Sequence, residues 1–391
     1  MFNILSIGLL YKYNILFNYN QLLCYNMKLC QIYNFAPHYR TEIYVKIAQT
    51  FDADFVFGNA VQDIKKANYE LLDASVLETE IIYKYGIAYQ KGILGQLKKP
   101  YDVYILTGEV RNISVWLFLL FAKFYSKKKV LLWSHGWYGK ENWLERIIKK
   151  IFFKLPNGGI LLYGNYAKDL MVKKGFDEKK LFVIHNSLAY SQHLALRKDV
   201  KESSIYADYF KNNNPNLIFV GRLTAVKKLE MVLEAMAINR KNGKEYNLTL
   251  IGGGERKESL EKLSIELGLQ NNVWFYGPCY DENKLSELIY NGDLCVSPGN
   301  VGLTAIHSLV FGTPVLTHNN FPYQMPEFEA VREGETGTFF EYDNVQSLAE
   351  CINEWFYRMS DRDDVREACM YEIDNYWTPS YQIEVLKKSL L

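Results

Sequence analysis

Two groups of residues in the second half of the chain have the character of an anion-binding site. Arg222 ends an apolar run, "NLIFVGR" (216–222), and Lys227 follows five residues later. The stretch "SPGNVGLTAIHSLVFGTPV" (297–315) places a glycine-rich turn before a predicted helix that begins near Leu303. Arginine binds phosphate in a bidentate manner, lysine supplies a compact positive charge, and a helix start attracts anions. The sequence therefore predicts a diphosphate site here.

The glycine-rich turn contributes backbone donors to this predicted site. Gly299 and Gly302 have no side chains, so a ligand can approach the backbone closely. The N–H groups of Gly302, Leu303 and Thr304 would point out of the helix start, where the helix itself cannot use them. Asn300 lies between the two glycines and is a candidate contact for the rest of the ligand.

Two histidines are candidates for further ligand contacts. His307 lies three residues beyond Thr304, within reach of a ligand at the mouth of the helix. His135, in "LLWSHGWYG" (131–139), follows an apolar run and precedes two glycines, which indicates a loop at the end of a strand. For each histidine the alternative is a structural role, with the ring hydrogen-bonded inside the fold.

A third glycine cluster, "IGGGERKESL" (251–260), also follows an apolar run. Its glycines are contiguous and do not fit the GxGxxG spacing of a dinucleotide-binding turn, so a dehydrogenase is not indicated. We expect Gly253 and its neighbours to let the backbone turn tightly at a strand end beside the ligand site.

Short apolar runs alternate with longer helical patterns along most of the chain, which is typical of a parallel sheet covered by helices. The series restarts near residue 214, and 391 residues exceed one ordinary core. The sequence predicts an α/β fold with two doubly wound, Rossmann-like domains that face each other across a ligand-binding cleft. The predicted segments are an N-terminal extension that does not belong to the functional protein (1–26), a first domain (27–190), a linker (191–214), a second domain (215–372) and a final helix that returns to the first domain (373–391).

The overall composition excludes several classes of protein. The net charge is +1, so no bulk field attracts nucleic acid. The six cysteines and six histidines show no metal-binding spacing, and we expect neither a metal nor a cofactor. The first 26 residues lack the basic start of a signal peptide and are too often interrupted by polar residues for a membrane span.

Four stretches together resemble the retaining glycosyltransferases of the two-Rossmann-domain (GT-B) type, family 4, which includes sucrose and mannosyl transferases. The resemblance is clear over about 215–345 and looser over 27–190. The matching stretches are "VGRLTAVKK", "LIGGGERKESLEKLSIELGLQNNVWFYG", "LIYNGDLCVSPGNVGLTAIHSLVFGTPV" and "MPEFEAVREGETGTFF".

The resemblance implies roles for individual residues. Arg222 and Lys227 would hold the diphosphate of a nucleotide-sugar donor. The family's pair of glutamates, which contact the donor sugar and the ribose, is replaced here by Gly299 and His307. His307 would still hydrogen-bond a ribose hydroxyl. His135 would lie near the reacting sugar.

The resemblance also predicts acceptor-side residues and an activity. "APHYRTEIY" (36–44) corresponds to the family's acceptor-side loop and supplies His38 and Arg40. The implied activity is transfer of a hexosyl-type sugar, with retention, to a saccharide or lipid-linked acceptor in surface polysaccharide synthesis. Two alternatives are a nucleotide-sugar epimerase of the same architecture and an inactive nucleotide-binding paralogue.

The stretch "WLERIIKKIFFKL" (143–155) predicts a basic amphipathic helix in the first domain. Its apolar residues alternate with Lys149, Lys150 and Lys154. Such a helix suits an anionic membrane surface, and the alternative is an ordinary helix packed on the sheet. We therefore expect a cytoplasmic protein, peripherally bound to the inner face of the membrane.

Overall fold

The computed structural model describes residues 27–59, 64–125, 128–358 and 361–391. The prediction that 1–26 form an extension concerns residues outside this described part. The chain divides into two compact units, Met1–Ser187 with Pro379–Leu391, and Leu188–Thr378. None of the helices in the described ranges has the length and apolar character needed to span a bilayer.

The regular elements follow the alternation predicted from the apolar runs. The strands are β1 Lys28–Tyr33, β2 Asp52–Gly58, β3 Val76–Thr79, β4 Ile81–Lys84, β5 Ile87–Gln90, β6 Val103–Thr107, β7 Lys129–Ser134, β8 Gly159–Leu162, β9 Leu181–Val183, β10 Asn216–Val220, β11 Asn247–Ile251, β12 Val273–Gly277, β13 Leu294–Ser297, β14 Val315–His318 and β15 Gly337–Phe340. The helices are α1 Thr41–Thr50, α2 Ile113–Tyr125, α3 Trp143–Phe152, α4 Asn165–Lys173, α5 Tyr190–Asp199, α6 Ile205–Phe210, α7 Glu230–Lys241, α8 Lys257–Glu266, α9 Glu282–Asn291, α10 Leu303–Val310, α11 Val345–Arg358, α12 Arg362–Tyr376 and α13 Pro379–Leu390.

The first unit is built on a seven-stranded sheet in the order β3-β2-β1-β6-β7-β8-β9, and every neighbouring pair is parallel. Strands β4 and β5 form a separate antiparallel hairpin. Apolar side chains cover both faces of the large sheet, which explains why its central strands read as continuous apolar runs. The last helix, α13, completes one of these two cores with Ile383, Leu386 and Leu390.

The second unit contains a six-stranded parallel sheet in the order β12-β11-β10-β13-β14-β15. Counted within the unit, this is the 3-2-1-4-5-6 order of a doubly wound nucleotide-binding fold. The chain reverses its direction of winding between β10 and β13. Ligands of such sheets bind beyond the carboxyl ends of the two strands at this switch point. The two doubly wound sheets confirm the predicted α/β class with two Rossmann-like units.

The segment 191–214, predicted as a linker, differs in the structure, because it carries most of α5 and all of α6. Both helices belong to the second unit. Arg197 of α5 donates two hydrogen bonds to the Asp374 carboxylate at 2.8 and 3.0 Å. Tyr206 of α6 is buried and donates to the carbonyl oxygen of Leu288 at 2.7 Å. These few contacts hold an otherwise polar segment against the second unit. Because the segment needs few buried apolar residues, its sequence shows little apolar periodicity.

Candidate functional site

The two groups of residues predicted to bind an anion follow the two strands of the second sheet's switch point. Arg222 comes two residues after β10, and the glycine-rich turn follows β13 directly. β10 and β13 are hydrogen-bonded neighbours in the sheet. Parallel strands end at the same edge, so both groups lie at the carboxyl edge where a doubly wound sheet binds its ligand.

Hydrogen bonds join the two groups directly. The backbone N–H of Gly299 donates to the carbonyl oxygen of Lys227 at 3.0 Å. The Lys227 ammonium donates to the carbonyl oxygen of Asn300 at 2.6 Å and to the Asn300 side-chain oxygen at 2.9 Å. The Thr304 hydroxyl donates to the carbonyl oxygen of Val220, at the end of β10, at 2.9 Å. The turn before α10 is therefore fixed to the chain that carries Lys227.

The charge of Lys227 is energetically unfavourable in the free protein. Burial, reinforced by the nearby charge of Arg222, lowers the pKa of Lys227 from 10.5 to about 8, although the Glu327 carboxylate acts in the opposite direction. An anion bound beside this ammonium would favour its protonated form and raise the pKa again. A bound diphosphate would therefore stabilise the buried charge of Lys227, which the protein groups stabilise only in part.

The adjacent lysine, Lys228, has a different environment. Its ammonium pairs with the Asp343 carboxylate, lies 3.1 Å from the Tyr342 hydroxyl and sits 4.2 Å from the centre of the Tyr342 ring. Residues Ala225–Lys227 form a single 3-10 turn, and α7 starts only at Glu230. Both lysines therefore precede α7, and Lys228 already has an anionic partner.

Gly299 is enclosed by the backbone of the Lys227 turn. A Cβ atom added at Gly299 would lie 1.9 Å from the carbonyl oxygen of Val226. No side chain fits without moving this turn, so the position that the sequence resemblance aligns with a glutamate of the related family is sterically closed to one here. The absence of a carboxylate at this position follows from the packing of two chain segments, and not only from the exchange of one residue.

The glycines after β11 likewise allow two backbone segments to pack closely. A Cβ at Gly252 would lie 1.8 Å from the carbonyl oxygen of Gly221, and Gly253 accepts a backbone hydrogen bond from Leu223 at 2.9 Å. This chain therefore packs directly on the segment that carries Arg222, as a tight turn at a strand end. Gly253 contributes to the site by fixing the backbone beside Arg222.

The start of α10 keeps its donors available. Gly302 is the N-cap residue, with φ 55° and ψ −149°, and has no side chain to cap the helix. Val301, one residue earlier, donates its N–H to the Gln324 side chain at 2.9 Å, which fixes the entry to the helix. The N–H groups of Leu303 and Thr304 lie in the first turn, where no intrahelical carbonyl can accept them.

His307 lies in the second turn of α10 and faces protein groups from two other helices. Its Nε2 atom is 3.6 Å from a carboxylate oxygen of Glu282, at the start of α9. Its ring stacks on His193 of α5, with ring centres 4.9 Å apart, and His193 Nε2 is 3.7 Å from the same Glu282 oxygen. The two histidines hold the pKa of the Glu282 carboxyl well below its usual range. Only Nδ1 of His307 is left for the predicted ribose contact.

The first unit has its own cavity at the corresponding place in its sheet. The cavity measures about 490 Å³ and lies at the carboxyl ends of β1, β6, β7 and β8. Its lining includes Asn34, Glu109, Ser134, His135 and Tyr138. This is again a switch-point position, because the order β2-β1-β6-β7 reverses the winding between β1 and β6.

His135 follows β7, as predicted, and lines this cavity. Its ring packs on the Tyr163 ring at 4.6 Å and on the Tyr138 ring at 5.9 Å. Burial, together with the charges of Arg40 and Lys149, lowers the pKa of His135 to about 4. The imidazole is therefore neutral at physiological pH and can donate and accept one hydrogen bond each, but it is a weak base.

The two residues predicted from the acceptor-side loop occupy different positions. Arg40 is buried, donates to the Tyr163 hydroxyl at 3.1 Å, and lies over the Trp133 ring at 4.5 Å. It therefore supports the aromatic floor of the cavity. His38 is exposed, does not line the cavity, and has its Nδ1 atom 3.1 Å from the carbonyl oxygen of Lys65.

The sequence-based prediction missed Glu109, which follows the end of β6. Its carboxylate accepts a hydrogen bond at 3.0 Å from the Asn34 side chain, which follows β1. Burial raises the pKa of Glu109, while the Asn34 hydrogen bond and the Arg111 charge act against the rise. An acidic residue directly after a central parallel strand is the signal that could have identified it. The pair spans the switch point and presents an acceptor to the cavity.

Comparison with known proteins agrees with the geometry of the second unit. Residues 202–369 match the family described as Glycosyl transferases group 1. Over 167 residues the chain is 27% identical to a poly(glycerol-phosphate) alpha-glucosyltransferase of Bacillus subtilis (strain 168), covering 42% of this chain and 24% of the relative. The chain spans less than half the length of the curated relatives it matches.

Solved structures resemble the chain over nearly its whole length. Anabaena Alr3699/HepE, solved in complex with UDP, matches with a TM-score of 0.66 at 14% identity and covers 92% of this chain and 98% of its own. The lipopolysaccharide outer core galactosyltransferase WaaB matches with a TM-score of 0.68 at 14% identity, covering 93% and 99%. These likenesses show the GT-B fold. Residues 202–369, which lie in the second unit, are thus similar to the group 1 glycosyltransferases.

Proposed function

We propose that this protein transfers a hexosyl-type sugar, with retention of anomeric configuration, from a nucleoside diphosphate donor to a saccharide or lipid-linked saccharide. The observation that carries the proposal is the contact between Lys227 and Asn300 at the carboxyl edge of the second sheet. It brings a cation of reduced pKa to the start of a helix whose first N–H groups are available. Surface polysaccharide synthesis is the process we assign to it.

The donor site acts on the charge that forms when the sugar leaves. Breaking the bond between the anomeric carbon and the diphosphate leaves the electron pair on a phosphate oxygen. Arg222, Lys227 and the N–H groups of Leu303 and Thr304 are donors or cations that stabilise this charge. Removal of one such group from a preorganised site typically costs about 2.7–4 kcal/mol of transition-state stabilisation. UDP is the first nucleotide to test, because the Anabaena neighbour was solved with it.

The acceptor belongs in the cavity of the first unit. Its polar groups, from Glu109, Asn34 and His135, suit hydroxyl groups, and its aromatic residues, from Tyr33 to Tyr163, suit the apolar face of a sugar ring. Glu109 accepts hydrogen bonds and, with its raised pKa, is the strongest candidate in this cavity for receiving the proton of the attacking hydroxyl.

Two observations favour a second candidate function, nucleotide binding without transfer. The Gly299 position is closed to the carboxylate that contacts the donor sugar in the related family, and His307 is engaged by Glu282. A nucleotide-sugar epimerase is the third candidate, because it uses the same architecture. The three differ in what happens to a bound donor: transfer needs an acceptor, an epimerase releases sugar without one, and a binding protein leaves the donor intact.

The test combines binding and turnover. Calorimetric titration with UDP and GDP is followed by incubation with the matching nucleotide sugars, with and without saccharide acceptors. We expect binding of one nucleotide per chain, and product only when an acceptor is present. Arg222→Ala should reduce both, whereas Arg240→Ala should reduce neither, because Arg240 lies at the end of α7 and pairs with Glu245. A folded protein that binds neither nucleotide would contradict the proposal.

We propose further that α3 binds an anionic membrane surface. Trp143, Leu144, Ile147 and Ile151 project from this helix with half or more of their surface exposed, and Trp143 is 72% exposed. Lys150 and Lys154 are exposed beside them. Such a combination of apolar residues and lysines favours burial in the headgroup region of an anionic bilayer.

A groove beside α3 extends the apolar surface. It measures about 470 Å³ and is lined by Ile148 of α3, Ile113 of α2 and Ile87 of β5, among others. Lys149 does not belong to the membrane-facing set that the sequence predicted. Its ammonium donates to the Glu141 carboxylate at 2.6 Å and to the carbonyl oxygen of Gly136 at 3.0 Å, and its side chain is only 16% exposed.

Vesicle sedimentation tests this proposal. Lys150→Glu with Lys154→Glu should weaken binding to phosphatidylglycerol vesicles by about 1 kcal/mol for each lysine removed. Leu144→Ser with Ile147→Ser should weaken binding to the same vesicles even at high salt. The matched control is the pair Lys173→Glu and Lys174→Glu, at the end of α4, which should leave binding unchanged. Equal binding by all variants would show that α3 is an ordinary surface helix.

A further inference from the structure

Three side chains from separate helices of the second unit converge on one point. His193 comes from α5, Glu282 from α9 and His307 from α10. One ligand atom from each residue lies within 4.8 Å of the other two. The Nε2 atoms of the two histidines are 3.7 and 3.6 Å from the same Glu282 oxygen. We call this set the His-Glu-His cluster.

Two of the atoms that face each other in the His-Glu-His cluster are incompletely satisfied. The Glu282 oxygen and Nε2 of His307 are both sealed from solvent and have no hydrogen-bond partner in the described part of the chain. Their separation of 3.6 Å exceeds the 2.7–3.2 Å of a normal N–H···O hydrogen bond. A buried polar atom without a partner is costly, so the arrangement favours an additional group between these atoms.

A small cation fits this gap better than a direct contact does. Three atoms with these separations share a central point at most about 2.4 Å from each, and zinc binds histidine nitrogen and carboxylate oxygen at about 2.0–2.2 Å. A contraction of at most a few tenths of an ångström would bring all three atoms to zinc-binding distance, and a water molecule would supply the fourth ligand of a tetrahedral site. Two imidazoles and one carboxylate are a ligand set that zinc uses in proteins, whereas magnesium and calcium prefer oxygen ligands.

We propose that the His-Glu-His cluster is a zinc site. The bound ion would crosslink α5, α9 and α10. Through His307, in the second turn of α10, the ion would also hold this helix in place. The first turn of the same helix carries the predicted donor site. The cluster escapes sequence analysis because its members are far apart along the chain and follow no metal-binding spacing.

The experiment measures zinc binding to the tag-free full chain in the absence of nucleotide, so its result is independent of the proposed transferase activity. Protein treated with a chelator is dialysed and titrated with ZnCl2, and bound zinc is quantified by competition with a chromophoric chelator. We expect one zinc ion per chain. Thermal melts at a hundredfold excess of zinc over its Kd should show a rise in Tm of about 3 °C where the full chain melts as one unit and about 7 °C where the second unit melts alone, and MgCl2 should give none.

Variants assign the ion to this cluster. Glu282→Gln and His307→Asn should each lose the stoichiometric zinc and the rise in Tm. Glu287→Gln, the same change on the same helix, and Cys279→Ser, which removes the nearest thiol in the sequence, should keep both. Absence of stoichiometric zinc in the wild-type chain overturns the proposal and leaves a direct histidine–carboxylate ion pair. Retention of zinc by both cluster variants, or its loss in either control, also overturns it.

Discussion

Replacing Lys227 with methionine should separate the role of its charge from the role of its apolar stem. A hydrogen bond to a charged group contributes about 1.5–3 kcal/mol, and Lys227 is mostly buried, where solvent screens its charge little. We therefore expect UDP to bind roughly 10- to 150-fold more weakly to Lys227→Met. Lys228→Met is the matched control, because Lys228 already pairs with Asp343 and should leave UDP affinity unchanged.

The loss in Lys227→Met should not come from unfolding. The pKa of Lys227 falls from 10.5 to about 8 on folding, so between these values the unfolded chain binds more protons and stability rises with pH. At neutral pH the charge therefore costs about 3 kcal/mol of stability, which methionine removes. Methionine also leaves the two Asn300 acceptors without their donor, which costs a similar amount. The Tm of the nucleotide-free protein should therefore change little.

The pH dependence of binding gives the sharper test of Lys227. UDP selects the protonated amine, so affinity should be level below about pH 8 and fall above it, by up to tenfold per pH unit. This fall should disappear in Lys227→Met and persist in Lys228→Met. Calorimetric titration between pH 7 and pH 9 measures all three proteins. A wild-type affinity independent of pH in this range, or an equal fall in Lys227→Met, would refute the assignment of Lys227 to the diphosphate.

Three further outcomes are expected. Arg222→Ala should lower kcat/KM, measured with saturating acceptor, by an amount that corresponds to a loss of about 2–4 kcal/mol of transition-state stabilisation. Unchanged kinetics would exclude Arg222 from the site. Gly299→Ala should lower both Tm and UDP affinity, because its Cβ would lie 1.9 Å from a carbonyl oxygen, whereas Gly95→Ala, with open space around it, should not. His307→Glu should place a second carboxylate beside Glu282 and lower Tm more at pH 8 than at pH 5, since protonation of one carboxylate relieves the repulsion. An equal fall in Tm at both pH values would contradict the observed neighbours of His307.

The parallel sheets were predictable because burial of both faces demands continuous apolar runs. β7, for example, contains the apolar run that precedes His135 in the sequence. Residues that follow the ends of central strands, such as Arg222 and His135, were predictable for the same reason. A residue that follows a strand can be assigned to one edge of the sheet once the strands are known. The doubly wound strand order then shows which of these residues are neighbours.

Contacts between side chains on separate helices were not predictable. His193 and His307 are 114 residues apart in the sequence, yet their rings stack at 4.9 Å. Nothing in the periodicity of α5 or α10 indicates which neighbour each histidine faces. The polar segment 191–214 shows the converse case, because a helix held by a few polar anchors, such as the Arg197–Asp374 pair, leaves too weak an apolar pattern to be distinguished from a linker.

The two positions that the sequence resemblance aligns with the family's glutamates, Gly299 and His307, have connected physical consequences. Gly299 allows the Lys227 turn to pack against the backbone after β13, which brings the ammonium to Asn300. A glutamate at 299 would separate these segments and remove that contact. His307, in place of the second glutamate, faces the Glu282 carboxylate, where another acidic residue would be repelled. Each residue thus suits its neighbours, and placing one glutamate alone should damage the site, because a glutamate at 299 also requires a shift of the Val226 backbone and a glutamate at 307 also requires a change at Glu282.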